Sequence, residues 1–158
     1  MRAVRATGAG GPAVLEVVDI PAPKPGPGQI VIRHQAIGLN FIDIYQRSGL
    51  YPMSFPAVLG LEGAGTVEAI GEGVTRCAVG DRAAYAGQIG ADAEVNLAPA
   101  DRAVRVPAHL SFEIAAAALL KGMTAEFLVR RCRPVAAGDW VLVHAAAGGV
   151  GTILAQWA

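Results

Sequence analysis

Near the end of the chain, small residues crowd between a β-branched run and an apolar segment, an arrangement suited to holding a phosphate. Trp140-Val141-Leu142-Val143-His144 reads as a strand entered through the turn Gly138-Asp139, and Ala145-Ala146-Ala147-Gly148-Gly149-Val150-Gly151 reads as a tight loop. Residues 152–158 read as a helix. A strand, a glycine turn and a helix in that order form the first half of a dinucleotide-binding crossover. Gly148 lets the backbone approach a pyrophosphate with no Cβ in the way. Gly151 lets the helix pack closely on the strand, and the helix N-terminus offers N–H groups and the positive end of its dipole. Ala146 stands where the fingerprint has its first glycine, and Gly149 and Val150 complete the turn. The same residues also fit a small-residue turn in another kind of α/β unit.

A parallel sheet needs strands on either side of such a motif, and none follows it. The residue that reads the adenosine ribose is expected about 20 residues further on, past Ala158. The sequence is therefore expected to be the front part of a longer protein, and the chain alone is expected not to turn over a nucleotide cofactor.

The elements that would position this turn come earlier. The chain has 158 residues, 53% hydrophobic and 16% charged, which marks it as globular rather than disordered. Its formal net charge is zero, and no basic stripe interleaves with aromatics, so nucleic acid is not expected as a partner. No apolar run is long enough to cross a membrane and the N-terminus lacks a signal-peptide core, so no membrane association is expected. Cys77 and Cys132 stand alone, which implies no disulfide framework and fits a reducing cytoplasm.

Residues 3–6 and 14–20 are candidate strands, separated by the turn Gly8-Ala9-Gly10-Gly11-Pro12. The proline-rich stretch 21–28 suits an extended surface connection, and 29–38 is the longest strand candidate. Asn40 then caps a short helix over 41–47, with Phe41, Ile44 and Tyr45 on one face and Asp43 in the first turn. Residues 61–70, 81–86, 93–98 and 102–106 follow as strands bounded by Gly, Pro and Asp. Many short strands with frequent turns suggest a small, partly open barrel. Ser111 then caps an alanine-rich helix, and 122–132 reads as a second one. The domain boundary falls near Leu120, giving domains at 1–120 and 121–158.

Three separated motifs in this order resemble the medium-chain dehydrogenase/reductase superfamily. They are Gly38-Leu39-Asn40-Phe41-Ile42-Asp43, Gly60-Leu61-Glu62-Gly63-Ala64-Gly65-Thr66-Val67 and the closing glycine turn. Within it, residues 36–43, then Tyr45 and Arg47-Ser48-Gly49-Leu50-Tyr51-Pro52, with 144–151 and Gln156-Trp157-Ala158, look like the zinc-free NADPH:quinone oxidoreductase branch, the zeta-crystallin-like proteins. The resemblance spans nearly the whole chain but covers about half of a typical member. It implies a mixed α/β chain, a GroES-like partly open β-barrel domain followed by the start of a Rossmann dinucleotide-binding domain. The implied activity is reduction of a quinone or related carbonyl acceptor by NADPH, in a full-length protein that forms a homodimer. A zinc-free enoyl or enone reductase of the same superfamily is the alternative. A non-catalytic binding or structural fragment is a further one.

The zinc-dependent relatives would have a cysteine where Asn40 stands and a histidine where Leu61 stands, leaving only Glu62 of that ligand set. One carboxylate cannot assemble a catalytic zinc site. No cluster of cysteines lies between Gly80 and Val106, and His34, His109 and His144 show no ligand spacing, so the expectation is a metal-free protein. Hydrogen-bond donors are the general substitute for stabilising an oxygen that gains charge. Asn40 carries an amide, and Tyr45 and Tyr51 carry phenolic hydroxyls. The resemblance places all three in a cleft facing the nicotinamide and the acceptor. Read alone, Asn40 could be only a helix cap, Tyr45 a half-buried core residue and Tyr51 loop packing. The resemblance also implies that Met123 and Thr124 line the nicotinamide pocket, with the Thr124 hydroxyl reaching a polar group of the cofactor. Lys121 reads as a solvated first-turn lysine, with attraction of a phosphate as the alternative, Glu62 as a structural acceptor for a backbone or arginine donor, and His144 as a packed residue.

Overall fold

The computed structural model describes residues 1–158. The chain divides into two units, Met1–Ala117 and Ala118–Ala158.

In the first unit eight strands form two sheets. β1 (Arg2–Ala6) pairs antiparallel with β2 (Leu15–Asp19) on one side and with the two-residue β4 (Ala57–Val58) on the other. The second sheet has the order β7-β3-β5-β6-β8, built from β3 (Gln29–Gly38), β5 (Glu62–Ile70), β6 (Arg82–Ala86), β7 (Val95–Pro99) and β8 (Val104–Arg105). A single bridge, Ala3 to Ala93, joins β1 to the segment leading into β7. The core lies against the second sheet, where Ile30, Ile32, Val67, Tyr85 and Ala98 are all but inaccessible to water. Ile30 and Ile32 are two apart and so share a face of β3. The small residues Ala83, Ala91, Ala100 and Ala103 fill the space around Tyr85.

β3 and β5 carry two irregularities that cancel. Val31 pairs with Ala69 but Ile32 with Val67, so Glu68 is an extra residue on β5. His34 pairs with Gly65 but Ala36 with Ala64, so Gln35 is an extra residue on β3. Each bulge shifts the register by one, in opposite senses. Beyond the second, Gly38 lies directly across from Glu62.

α1 (Phe41–Ser48) begins where β3 ends. Asn40 has extended backbone angles, φ −133° and ψ 155°, and Asp43 in the first turn completes a capping box with it. The Asp43 carboxylate accepts the Asn40 backbone N–H at 2.8 Å. Gly49, at φ 84°, ends the helix in the left-handed region that glycine tolerates.

α2 (Phe112–Glu126) starts in the first unit with the Ser111 hydroxyl accepting the Ile114 N–H at 3.3 Å. Arg82 of β6 fastens that start: its guanidinium donates to the Leu110 carbonyl and lies 4.1 Å from the centroid of the Phe112 ring. The two helices expected here are one. Gly122 does not interrupt α2, since an interior glycine costs a helix only about 1 kcal/mol. The hydrogen-bond ladder instead widens to a π-helical turn over Phe127–Cys132.

In the second unit the expected strand over 140–144 is not formed. A strand is held by its ladder to neighbours, and this unit contains no other strand to supply one. Trp140 is fully exposed and Leu142 is 81% exposed. The helix after the glycine turn, α3 (Gly149–Trp157), begins three residues earlier than expected.

Candidate functional site

The first unit gathers Asn40, Tyr45 and Tyr51 on and beside α1. Tyr45 is 37% exposed and Tyr51 49% exposed, so neither is a core residue. Their rings lie 5.5 Å apart between centroids, inclined by 57°, and Phe41 extends the cluster at 6.3 Å from Tyr45. That spacing and tilt fall in the favourable range for paired aromatics. The loop carrying Tyr51 is tied back to the helix by the Tyr51 N–H, which donates to the Tyr45 carbonyl at 3.1 Å. With Leu39 and Leu50 also exposed, the surface is an apolar platform with phenolic hydroxyls on it.

Asn40 does more than cap the helix. Its side-chain N–H donates to Oε1 of Glu62 at 2.9 Å, and the same nitrogen makes a long contact to the Gly38 carbonyl at 3.5 Å. Glu62 is completely buried. Glu62 is thus an acceptor, as expected, but the donor seen here is the Asn40 side-chain amide rather than a backbone or arginine group. The sequence carries no signal for this contact, because the pairing of Gly38 with Glu62 across the ladder depends on the two bulges.

A partly buried polar chain was also missed. His34 Nδ1 lies 2.7 Å from the Ala93 carbonyl and Nε2 lies 2.9 Å from the Tyr85 hydroxyl, while Asn96 Nδ2 donates to the same hydroxyl at 2.9 Å. A carbonyl only accepts, so Nδ1 carries the proton, and a neutral ring then accepts the Tyr85 O–H at Nε2. Burial lowers the His34 pKa, against the opposing pull of the Ala93 carbonyl, and burial raises that of Tyr85. Nearby, the half-buried Asp92 is pushed up to about 6 by burial first and by the charge of Asp43 second. No group of three His, Cys, Asp or Glu side chains converges in a way that could hold a metal ion.

In the second unit, Gly148 is the N-cap of α3, with extended backbone, and its carbonyl accepts the Thr152 N–H at 2.8 Å. The amides of Gly149, Val150 and Gly151 therefore occupy the first turn, where no intrahelical acceptor exists. Ala146 lies in the turn before them, and the Thr152 hydroxyl donates to its carbonyl at 3.3 Å. Gly151 is buried, and a Cβ there would collide with the Ala145 carbonyl and come within 2.8 Å of the Ala146 Cα. Its closest packing is thus against this turn. Gly151→Ala should loosen α3: hydrogen exchange at the Thr152–Leu154 amides should speed by about tenfold or more, since relief requires the turn or the helix to move. Unchanged protection would show that the turn yields without consequence.

Met123 and Thr124 lie exposed on α2. The Thr124 hydroxyl already donates to the Leu120 carbonyl at 2.9 Å, so toward a ligand it offers acceptor capacity. Lys121 is not a first-turn lysine. It lies well inside α2, partly buried, and its stem covers Gly149, where an added Cβ would come within 2.7 Å of Cδ. His144 is exposed rather than packed.

The sequence model for the alcohol dehydrogenase GroES-like domain matches residues 26–129. A quinone oxidoreductase of Pseudomonas aeruginosa is 51% identical over 151 residues, which cover 94% of this chain and 46% of that protein. The Escherichia coli quinone oxidoreductase, solved in complex with NADPH, superposes with a TM-score of 0.97 at 44% identity, covering 99% of this chain and 49% of the other. A 2-haloacrylate reductase of a Burkholderia species is 41% identical over 156 residues, covering 94% of this chain and 47% of its own. The chain thus spans about half the length of the relatives it matches. No helix is long and apolar enough to cross a membrane.

Proposed function

This mixed α/β chain, with its GroES-like domain, belongs to the quinone oxidoreductase branch of the medium-chain dehydrogenase/reductase superfamily, and from that premise we propose that it serves the reduction of quinones by NADPH without zinc. We read its two sheets, joined at Ala3 and Ala93, as the partly open barrel of a domain over 1–120. Residues 121–158 are read as the bridging helix and the opening of a Rossmann domain, in a cytoplasmic protein that forms a homodimer.

The observation that carries the reading is the aromatic platform of Tyr45 and Tyr51 with Asn40 at the head of the same helix. A quinone is flat and apolar with an oxygen at each end, and its reduction builds negative charge on those oxygens. The tyrosine rings suit its faces. Their hydroxyls and the Asn40 amide suit the oxygens. NADPH would supply the reducing equivalents. Two features of the second unit fit such a cofactor: the first-turn amides of α3, Gly149 to Gly151, suit a pyrophosphate, and Gly148, after a tight turn that Ala146 fits, lets the backbone approach it with no Cβ in the way. Met123 and Thr124 would bear on the nicotinamide, Thr124 through its oxygen as acceptor.

In a full-length version, Tyr51→Phe should lower kcat for a benzoquinone by about tenfold while leaving the KM for NADPH within about twofold, because the lost donor acts mainly on charge that develops during reduction. Unchanged kcat would remove Tyr51 from this role. A second reading, reduction of a conjugated carbon–carbon double bond, is favoured by the likeness to 2-haloacrylate reductase. Both need a donor at the conjugated oxygen. Steady-state assays with NADPH on a panel of quinones and enals separate them: preference for enals overturns quinone reduction as the main activity.

A further inference from the structure

We infer that Glu62 is a positioning residue, which aims the Asn40 amide by holding one of its two N–H bonds and so directs the other toward the bound reactants. The inference rests on the function proposed above and names a part that the family resemblance does not assign.

Three observations carry it. Glu62 is wholly buried, at the start of β5, and its Oε1 accepts Asn40 Nδ2–H at 2.9 Å. A carboxylate has only acceptor oxygens, so it selects the NH₂ end of the amide and forbids the flipped orientation. The backbone of Asn40 is fixed as well, because its N–H donates to Asp43 at 2.8 Å. With the Cα and one N–H both held, the planar amide has little freedom about its last torsion. The second N–H reaches the Gly38 carbonyl only at 3.5 Å, a contact weak enough to give way to a better acceptor. At 2.9 Å the Glu62 bond is much better formed than the 3.5 Å Gly38 contact, so it persists while the Gly38 contact yields. Gly38 is the residue that makes room for this: a Cβ there would occupy the place of the Glu62 side chain.

The test is a double-mutant cycle in the full protein, with NADPH and a soluble benzoquinone. Asn40→Ala should lower kcat, and Glu62→Gln should lower it by about tenfold, since a glutamine side chain can either accept from the Asn40 NH₂ or donate to its carbonyl oxygen and so permits both orientations. With Asn40 already replaced, Glu62→Gln should cost less than about twofold. Equal losses in both backgrounds, or no loss from Glu62→Gln alone, overturn the inference while leaving quinone reduction standing.

Asn40→Asp guards against a Glu62 variant that fails to fold, because it keeps the helix cap and leaves Glu62 untouched. It sets two carboxylates in contact, which share a proton. Activity should then return as pH falls, with an ionisation in the kcat profile that the parent lacks; an unchanged profile overturns the inference. If the parent reduces neither quinones nor enals, the proposed function fails on its own account. The contact is then decided without turnover, by exchange of the Asn40 Nδ2 protons in an asparagine-labelled sample. One protected proton that is lost in Glu62→Gln supports it, and two fast-exchanging protons overturn it.

Discussion

Gly38→Ala should lower stability by roughly 2–4 kcal/mol, a fall of about 5–15 °C in Tm for a chain of this size. The new methyl would stand on Oε1 and Cγ of Glu62 and on the Ala116 carbonyl oxygen. Gly38 and Glu62 are direct partners in the β3–β5 ladder, so neither backbone can withdraw without breaking it. The Glu62 side chain is fully buried and bound to Asn40, so it has no route to water. Gly38 does not have a left-handed backbone, which makes the substitution a test of space alone. Gly8→Ala is the control: nothing lies near its Cβ position, and its Tm should stay within about 2 °C of the parent. A Gly38→Ala protein that melts with the parent would mean that the strands part more easily than their pairing implies.

Asp92→Asn should stabilise the protein at pH 8 by about 1–2 kcal/mol, a figure discounted for partial exposure, and the gain should vanish near pH 4. The folded state raises the Asp92 pKa from 3.8 to about 6. Its contribution to stability is therefore complete below pH 3.8 and is lost as pH rises through about 6. The amide carries no charge to bury and so escapes that loss. His34 acts in the opposite sense. Its lowered pKa means that its neutral ring stabilises the fold above pH 6.5, and that this is lost as pH falls below 6.5 through the folded value. Urea denaturation of parent and variant at pH 4, 6 and 8 measures both limbs. An equal gain for Asp92→Asn at pH 4 and pH 8 would exclude ionisation of the half-buried carboxyl as its cause.

Much of the frame could be read from residue order because local chemistry decides it. β3 has the alternating Ile30 and Ile32, and it ends where Asn40 and Asp43 begin a helix, so both boundaries carry their own signals. β4 has two residues and no pattern of its own; it exists because β1 offers an edge. Gly122 looked like a break, yet the helix runs through it. Residues 140–143 have the composition of a strand, but composition cannot supply the neighbour that a ladder requires. In the site, the donors Asn40, Tyr45 and Tyr51 were visible as residue types near a cap. The Glu62 partner was not, because it depends on a register that two single-residue bulges set. Nor was the His34–Tyr85–Asn96 chain, whose members come from three strands and share no spacing in sequence.

The paired bulges have a consequence for how such a ribbon can vary in descent. Glu68 on one strand and Gln35 on the other are each surplus by one, and together they leave both ends of the ladder in phase. Loss of Gln35 alone would rotate the end of β3 by half a pleat and turn the start of α1 toward the opposite face. A compensating change on β5 restores the phase. Insertions and deletions in this strand pair are thus admissible only as couples, and lineages should differ here by linked changes in length on both strands or by none.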